Sequence, residues 1–175
     1  MCKVCSFFGH RTIVVTEELK KEIRDVVENL ILNHNVRIFL FGSRSRFDDL
    51  CLSIVSQLKE KYPNIKRVCY TCQSEACYLE KEKNKINFYA VDEEFEHKAK
   101  YDAGKASYVE RNQAMINDSD FCIFYYDENY LPPLKPPKNA MLPPRQTKSG
   151  TALAFAYAKR KKKNLLNLAN SHIRH

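Results

Sequence analysis

The chain has 175 residues and a formal net charge of +8, a length that suits one domain with a buried core. No apolar run approaches the ~20 residues of a membrane helix, and Met1-Cys2-Lys3-Val4-Cys5-Ser6-Phe7-Phe8 is too short for a signal-peptide apolar region, so a cytoplasmic protein with no membrane partner is expected. Cysteines number seven, and Cys5, Cys51, Cys69 and Cys122 sit inside apolar runs where free thiols pack as small hydrophobes, which argues against a disulfide framework.

Residues 4 to 8 read as a short apolar strand, after which Thr16 caps a helix whose Leu19, Ile23, Val26, Val27, Leu30 and Ile31 recur at the 3.6-residue period. Val36 to Phe41 is a second strand, apolar at nearly every position as in a strand covered on both faces. Leu50, Ile54, Val55 and Leu58 mark a second amphipathic helix, stopped at Tyr62-Pro63. Ile65 to Thr71 is a third strand; a Lys- and Glu-rich stretch over 73–85 follows, then Ile86 to Val91 as a short edge strand. Residues 104 to 118 read as helix and Phe121 to Tyr126 as the most apolar strand. Residues 150 to 162 form a last helix and Asn164 to Leu168 a last strand.

Strands and helices alternate with connections too long for hairpins. This predicts an α/β fold, a three-layer Rossmann-like domain with a mainly parallel five-stranded sheet and right-handed crossovers. One domain over 1–175 is expected, with a Pro-rich insertion at about 129–148. That insertion holds Pro132, Pro133, Pro136, Pro137, Pro143 and Pro144 and connects the strongest strand to the last helix, so it reads as a lid or docking segment, with Tyr125, Tyr126 or Tyr130 available to stack on a base.

Only four glycines occur. Three stand where an apolar run gives way to a polar, helix-starting turn: Phe7-Phe8-Gly9-His10-Arg11, Phe39-Leu40-Phe41-Gly42-Ser43-Arg44 and Ser149-Gly150-Thr151. Glycine lets the backbone approach a ligand, and the helix that follows offers unpaired N–H groups and a positive dipole end to an anion. In a parallel sheet such turns converge at the carboxyl ends of the strands. Arg11, Arg44, Arg46 and Arg111 lie near them and suit a small phosphorylated ligand better than a duplex. The basic run Lys159-Arg160-Lys161-Lys162-Lys163 reads as cations at a helix end, favoured there by the dipole.

Cys5-Ser6-Phe7-Phe8-Gly9-His10-Arg11, Phe47-Asp48, Arg111-Asn112 with Ser119-Asp120, and Ser149-Gly150-Thr151 together resemble the YpsA-like branch of the SLOG superfamily, named for the DprA and LOG proteins. The resemblance spans Cys5 to about Leu168. It implies a Rossmann-like fold and a nucleotide or nucleotide-derived ligand held by phosphate and ribose. On that resemblance Gly9 and Arg11 line the first loop, Asp48 the second, Arg111 and Asn112 the adjoining wall, and Gly150 with Thr151 the phosphate loop. His10, Gly42, Ser43, Arg44, Asp127 and Ser149 complete the expected ligand set.

Two departures bear on function. Ser149 stands where the family usually has the first of two glycines, and Gly150-Thr151-Ala152-Leu153-Ala154 lacks the acidic residues that follow the Gly-Thr pair in LOG enzymes cleaving an N-glycosidic bond. An oxocarbenium-like transition state needs a carboxylate near the anomeric carbon. Asp48 and Asp127 are the substitute candidates, though an Asp ending a strand also serves as a turn residue. His10 is the one histidine placed to act as acid or base, against a structural role in its loop. The spacings Cys2 to Cys5 and Cys69 to Cys72 are too far apart and too strand-like for zinc, so no metal and no cofactor is expected.

Three function classes follow: a module that binds or senses a nucleotide-derived ligand, which the missing acids favour over catalysis; an enzyme cleaving an N-glycosidic or phosphate bond, like a LOG phosphoribohydrolase or a nucleoside deoxyribosyltransferase; and a nucleic-acid or protein-interaction module. Nucleic acid is the less favoured partner, and self-assembly into a homo-oligomer stays open.

Overall fold

A computed structural model of the protein describes residues 1–42, 45–72, 91–97, 105–134, 143–144 and 146–169. Its elements in chain order are β1 (Lys3–Gly9), α1 (Glu17–Asn33), β2 (Val36–Phe41), α2 (Arg46–Lys61), β3 (Lys66–Cys72), β4 (Glu93–His97), α3 (Lys105–Asp118), β5 (Phe121–Tyr125), α4 (Gly150–Arg160) and β6 (Asn164–Asn167). They build one sheet in the order β4-β3-β2-β1-β5-β6, with every neighbouring pair parallel.

The helices divide between the two faces, which gives the three layers. Alternation along β1 shows how: Cys5 and Phe7 join the core under α1 and α2, where Phe7 stacks on Phe41 with ring centroids 5.2 Å apart. Phe8 points the other way, onto Phe124 at 5.0 Å, in the core that Met115 and Ile116 of α3 and Ala154 and Ala158 of α4 close. A strand buried on both faces is mostly apolar, and β1 is apolar from Val4 to Phe8 apart from the buried Ser6.

The first helix starts at the predicted cap. Thr16 Oγ1 accepts from the Leu19 N–H at 3.1 Å, and Leu19, Ile23, Val27, Leu30 and Ile31 of α1 are buried at the predicted period. At the end of α2 the Tyr62 N–H still reaches Leu58 O at 2.8 Å, and the chain leaves the helix before Pro63. Lys163, just past α4, donates through Nζ to the carbonyls of Asn117 at 2.9 Å and Ser119 at 2.6 Å, so part of the basic run serves the end of α3. Arg160 and Lys161 lie over the Tyr157 ring.

The sheet has six strands where five were expected. The edge strand beside β3 is β4, Glu-Glu-Phe-Glu-His, later than the edge strand expected over 86–91; residues 86–90 lie outside the described set and Val91 precedes the strand. β4 has one apolar side chain and forms because its backbone pairs with β3 from Val68↔Glu93 to Cys72↔His97, with Phe95 on Tyr70 at 4.7 Å. Just before it, Asp92 accepts from the Arg67 N–H at 2.8 Å, from the Arg67 guanidinium and from Lys59 Nζ at 3.1 Å, which holds its carboxyl well below the usual carboxylate range. Charged edge strands are common because the edge faces water.

Cys5, Cys51, Cys69, Cys72 and Cys122 are buried free thiols, while Cys2 is exposed. Among the described residues no helix is long and apolar enough to cross a membrane, and no group of three His, Cys, Asp or Glu side chains is placed to hold a metal ion.

Candidate functional site

Strand order positions the site. From β1 the chain builds β2, β3 and β4 on one side and β5 and β6 on the other. Winding therefore reverses between β1 and β5, where crossovers diverge and an open parallel sheet leaves a cleft at its carboxyl edge. A crevice of about 850 Å³ occupies that place, within the range of small-molecule sites.

At the first turn, a Cβ on Gly9 would collide with Cβ and Cγ of Phe47, a fully buried residue in the first turn of α2. Gly9 thus lets β1 end against α2. His10 follows, 3% exposed, and its Nε2 accepts from the Asp127 N–H at 3.0 Å. That bond needs a lone pair on Nε2, so the ring proton sits on Nδ1, which is buried with no partner among the described residues. Burial lowers the His10 pKa below its ordinary value, partly offset by Asp127. Tyr130 covers the ring with centroids 4.0 Å apart. Arg11 lines the crevice and is exposed.

The second turn supplies a buried acid. Ser45 caps α2: its Oγ accepts from the Asp48 N–H at 2.9 Å and donates to Asp48 Oδ2 at 3.1 Å. Asp48 is 8% exposed and its Oδ1 has no partner among the described residues, an arrangement that costs about 1–3 kcal/mol for a buried polar atom. Burial, with a smaller push from the Asp49 charge, raises the Asp48 carboxyl to about 7, against the opposing pull of the Arg111 charge, the Ser45 hydroxyl and, most weakly, the Gly42 N–H, which makes no hydrogen bond to Oδ1. Gly42 does not line the crevice; it seats Arg111, since a Cβ there would lie 3.1 Å from the guanidinium carbon. Ser43 and Arg44 of the expected set lie outside the described residues.

Arg111 and Asn112 come from α3. Arg111 is 4% exposed; its Nε and Nη2 donate to Asn112 Oδ1 at 3.2 and 3.1 Å, and its guanidinium lies 5.7 Å from the Tyr108 ring centroid. Packed between Gly42, Asn112 and Tyr108, the guanidinium is a fixed positive charge behind the wall.

The third turn is open. Ser149 Oγ accepts from the Ala152 N–H at 3.0 Å and Ser149 O from the Leu153 N–H at 3.1 Å. The N–H groups of Gly150 and Thr151 have no acceptor among the described residues, as expected for the first positions of a helix. A Cβ on Gly150 would meet nothing within 4 Å. Serine at 149 therefore acts as an N-cap where the resembled family has glycine, and the anion-attracting end of α4 faces the crevice beside Thr151 and Lys148.

Gly9, His10, Arg11, Asp48, Arg111, Asn112, Ser149, Gly150 and Thr151 of the expected set all line this one crevice. Asp127 does not. Its N–H serves His10 and its Oδ1 accepts from the Asn129 N–H at 2.8 Å, the work of a turn residue. Tyr125 packs on Phe47 and Tyr126 on Phe155, so of the three tyrosines only Tyr130 faces the crevice. The described part of the Pro-rich segment forms one wall through Pro132, Pro133, Leu134 and Thr147. Ser45, Tyr108 and Lys148 were missed. Tyr108 had a signal, an aromatic three residues before Arg111 on one helix face.

Against known proteins, the family model described as the YspA SLOG family matches residues 7–141. The α4 turn lies beyond that span and rests on geometry alone. No curated protein matches the chain.

Proposed function

The chain belongs to the YspA SLOG family, and from that membership we propose that its crevice binds a nucleotide or nucleotide-derived ligand as a sensor, without turning it over. One observation carries the reading. Of the three turn glycines, Gly9 is required by Phe47 and Gly42 stands close against the Arg111 guanidinium, whereas among the described residues nothing lies within 4 Å of the Cβ position at Gly150, next to two N–H groups with no described acceptor. A phosphate fits there: the helix end supplies donors and positive potential, and the missing side chain allows close approach.

The binder reading is favoured over an enzyme by the composition of that turn. Ala152, Leu153 and Ala154 supply no carboxylate beside the anion site, and Asp127 is absent from the crevice wall. One observation favours the enzyme: Asp48, a crevice carboxyl with a pKa of about 7, has the proton affinity of an acid–base group. The basic run at 159–163 lies at the far end of α4 from the crevice and lends a nucleic-acid ligand no support there.

Incubation with nucleoside monophosphates, NAD and cyclic nucleotides, followed by melting and by analysis of the recovered small molecules, tests this. A ligand at 100 times its dissociation constant stabilises by about 2.7 kcal/mol, a shift a melting curve resolves. The reading predicts that at least one compound raises Tm and is recovered intact. Release of free base or ribose phosphate, abolished by Asp48→Asn, would make the protein an enzyme instead.

A further inference from the structure

Three buried side-chain atoms have no hydrogen-bond partner among the described residues: His10 Nδ1, Asp48 Oδ1 and Ser107 Oγ. Ser107 is not on the crevice wall; His10 and Asp48 are. Native proteins rarely leave such atoms unpaired, and one at a cleft wall points to a missing ligand group. Asp48 is the acceptor of the two and His10 the donor.

The Asp48 carboxyl is held in place. Its Oδ2 is taken by the Ser45 hydroxyl, whose oxygen is fixed in turn by the Asp48 N–H, so the side chain cannot turn to satisfy Oδ1 without breaking the bond from the Ser45 hydroxyl to Oδ2. An ionised carboxyl only accepts, so its complement must be a donor. The anion site, at the Gly150 and Thr151 N–H groups, is a separate part of the wall. A ligand filling both carries an anion at one point and a neutral donor at the other. Arg111, in the same wall, is the competing feature: were it the group that reads this position, a second anion would be welcome there.

We infer that Asp48 is a specificity-determining residue that accepts a hydrogen bond from a sugar hydroxyl, so that the crevice takes phosphate esters with free sugar hydroxyls and rejects those phosphorylated at that position. The inference rests on the nucleotide reading above and deepens it. It moves the hydroxyl-reading role from Asp127, which is engaged in its own turn, to Asp48.

The test is a binding cycle at pH 8, where Asp48 is ionised. Dissociation constants of adenosine 5′-monophosphate, its 2′,3′-dideoxy analogue and adenosine 5′-phosphate 2′,3′-cyclic phosphate, a bisphosphate with neither hydroxyl free, are measured for the wild type and for Asp48→Asn, with melting curves as the folding control. The wild type is expected to prefer the monophosphate over the dideoxy analogue by about 10- to 100-fold, and to bind the bisphosphate more weakly than the monophosphate. In Asp48→Asn the hydroxyl preference should shrink to a few-fold, with affinity for the dideoxy analogue retained. Equal wild-type affinity for the first two compounds, a preference that survives in Asp48→Asn, or tighter binding of the bisphosphate would each overturn the assignment while leaving nucleotide binding intact. Failure of every nucleotide of the melting panel to bind the wild type would overturn the nucleotide reading and this inference together.

Discussion

Gly9 and Gly150 look alike in the sequence, each closing an apolar or capping run and opening a helix-starting turn, yet the protein treats them in opposite ways. At Gly9 the space a side chain would need is filled by Phe47; at Gly150 it is empty. None of the described turn glycines, Gly9, Gly42 and Gly150, adopts the left-handed backbone that only glycine tolerates well, so both positions are explained by closeness of approach. The partner at Gly9 is the protein's own core. The space at Gly150 is open among the described residues, and on the proposed function it is where the ligand's anion sits, so the comparison sets a glycine fixed by the core against one offered to a ligand.

Gly9→Ala should show the largest effect. The new Cβ would overlap Cβ and Cγ of Phe47, atoms tied to the α2 backbone that cannot swing aside. Overpacking a dense core costs typically 1–3 kcal/mol, and a clash against near-backbone atoms belongs at about 3 kcal/mol or above. Chemical denaturation reads this directly; a change below 1 kcal/mol would mean that β1 and α2 are not locked at this point.

Asp48→Asn should come next, with the opposite sign. The folded-state pKa of Asp48 is raised from 3.8 to about 7, so the folded protein holds a proton that the unfolded chain has released. The Asp48 contribution to stability therefore falls as pH rises from about 4 to about 7 and stays low above that. Replacing the acid by a neutral side chain removes this cost. Asp48→Asn is expected to be more stable than the wild type by about 1–3 kcal/mol at pH 8, with the difference vanishing near pH 4. A variant less stable than the wild type at pH 8 would show that the ionised form is satisfied in the fold. Stability gained while hydroxyl recognition is lost would mark Asp48 as a binding residue held at the expense of the fold.

Much of this was legible from the residues. Thr16, the periodic face of α1 and the mostly apolar β1 and β5 fix their elements through local chemistry that survives in the folded molecule. The convergence of His10, Arg111 and Thr151 followed from one rule, that loops after parallel strands meet at the carboxyl edge. What was not legible depended on partners far away in the chain. β4 is a strand only because β3 offers it a backbone edge, and its Glu-Glu-Phe-Glu-His sequence carries no period. Asp127 sits where a ligand residue belongs, but hydrogen bonds to Asn129 and His10 decide its orientation. Gly42 was placed in the ligand set, whereas its neighbour is Arg111, about seventy positions later in the chain. Ser149, which replaces a family glycine, is the N-cap of α4 and lines the crevice as well, a double role that only the folded turn shows.

The claim that Gly150 is kept open for a ligand is tested most directly by Gly150→Ala, measured for stability and for affinity toward whichever nucleotide shifts the wild-type Tm. A methyl group at the start of α4 meets no atom of the described residues within 4 Å, so the unfolding free energy should stay within about 0.5 kcal/mol of the wild type. The same methyl group would stand between the ligand and the free N–H groups of Gly150 and Thr151. Affinity should fall by about 10-fold or more, the equivalent of one lost charge-assisted contact. Unchanged affinity together with unchanged stability would contradict the account, because Gly150 would then be open for no reason.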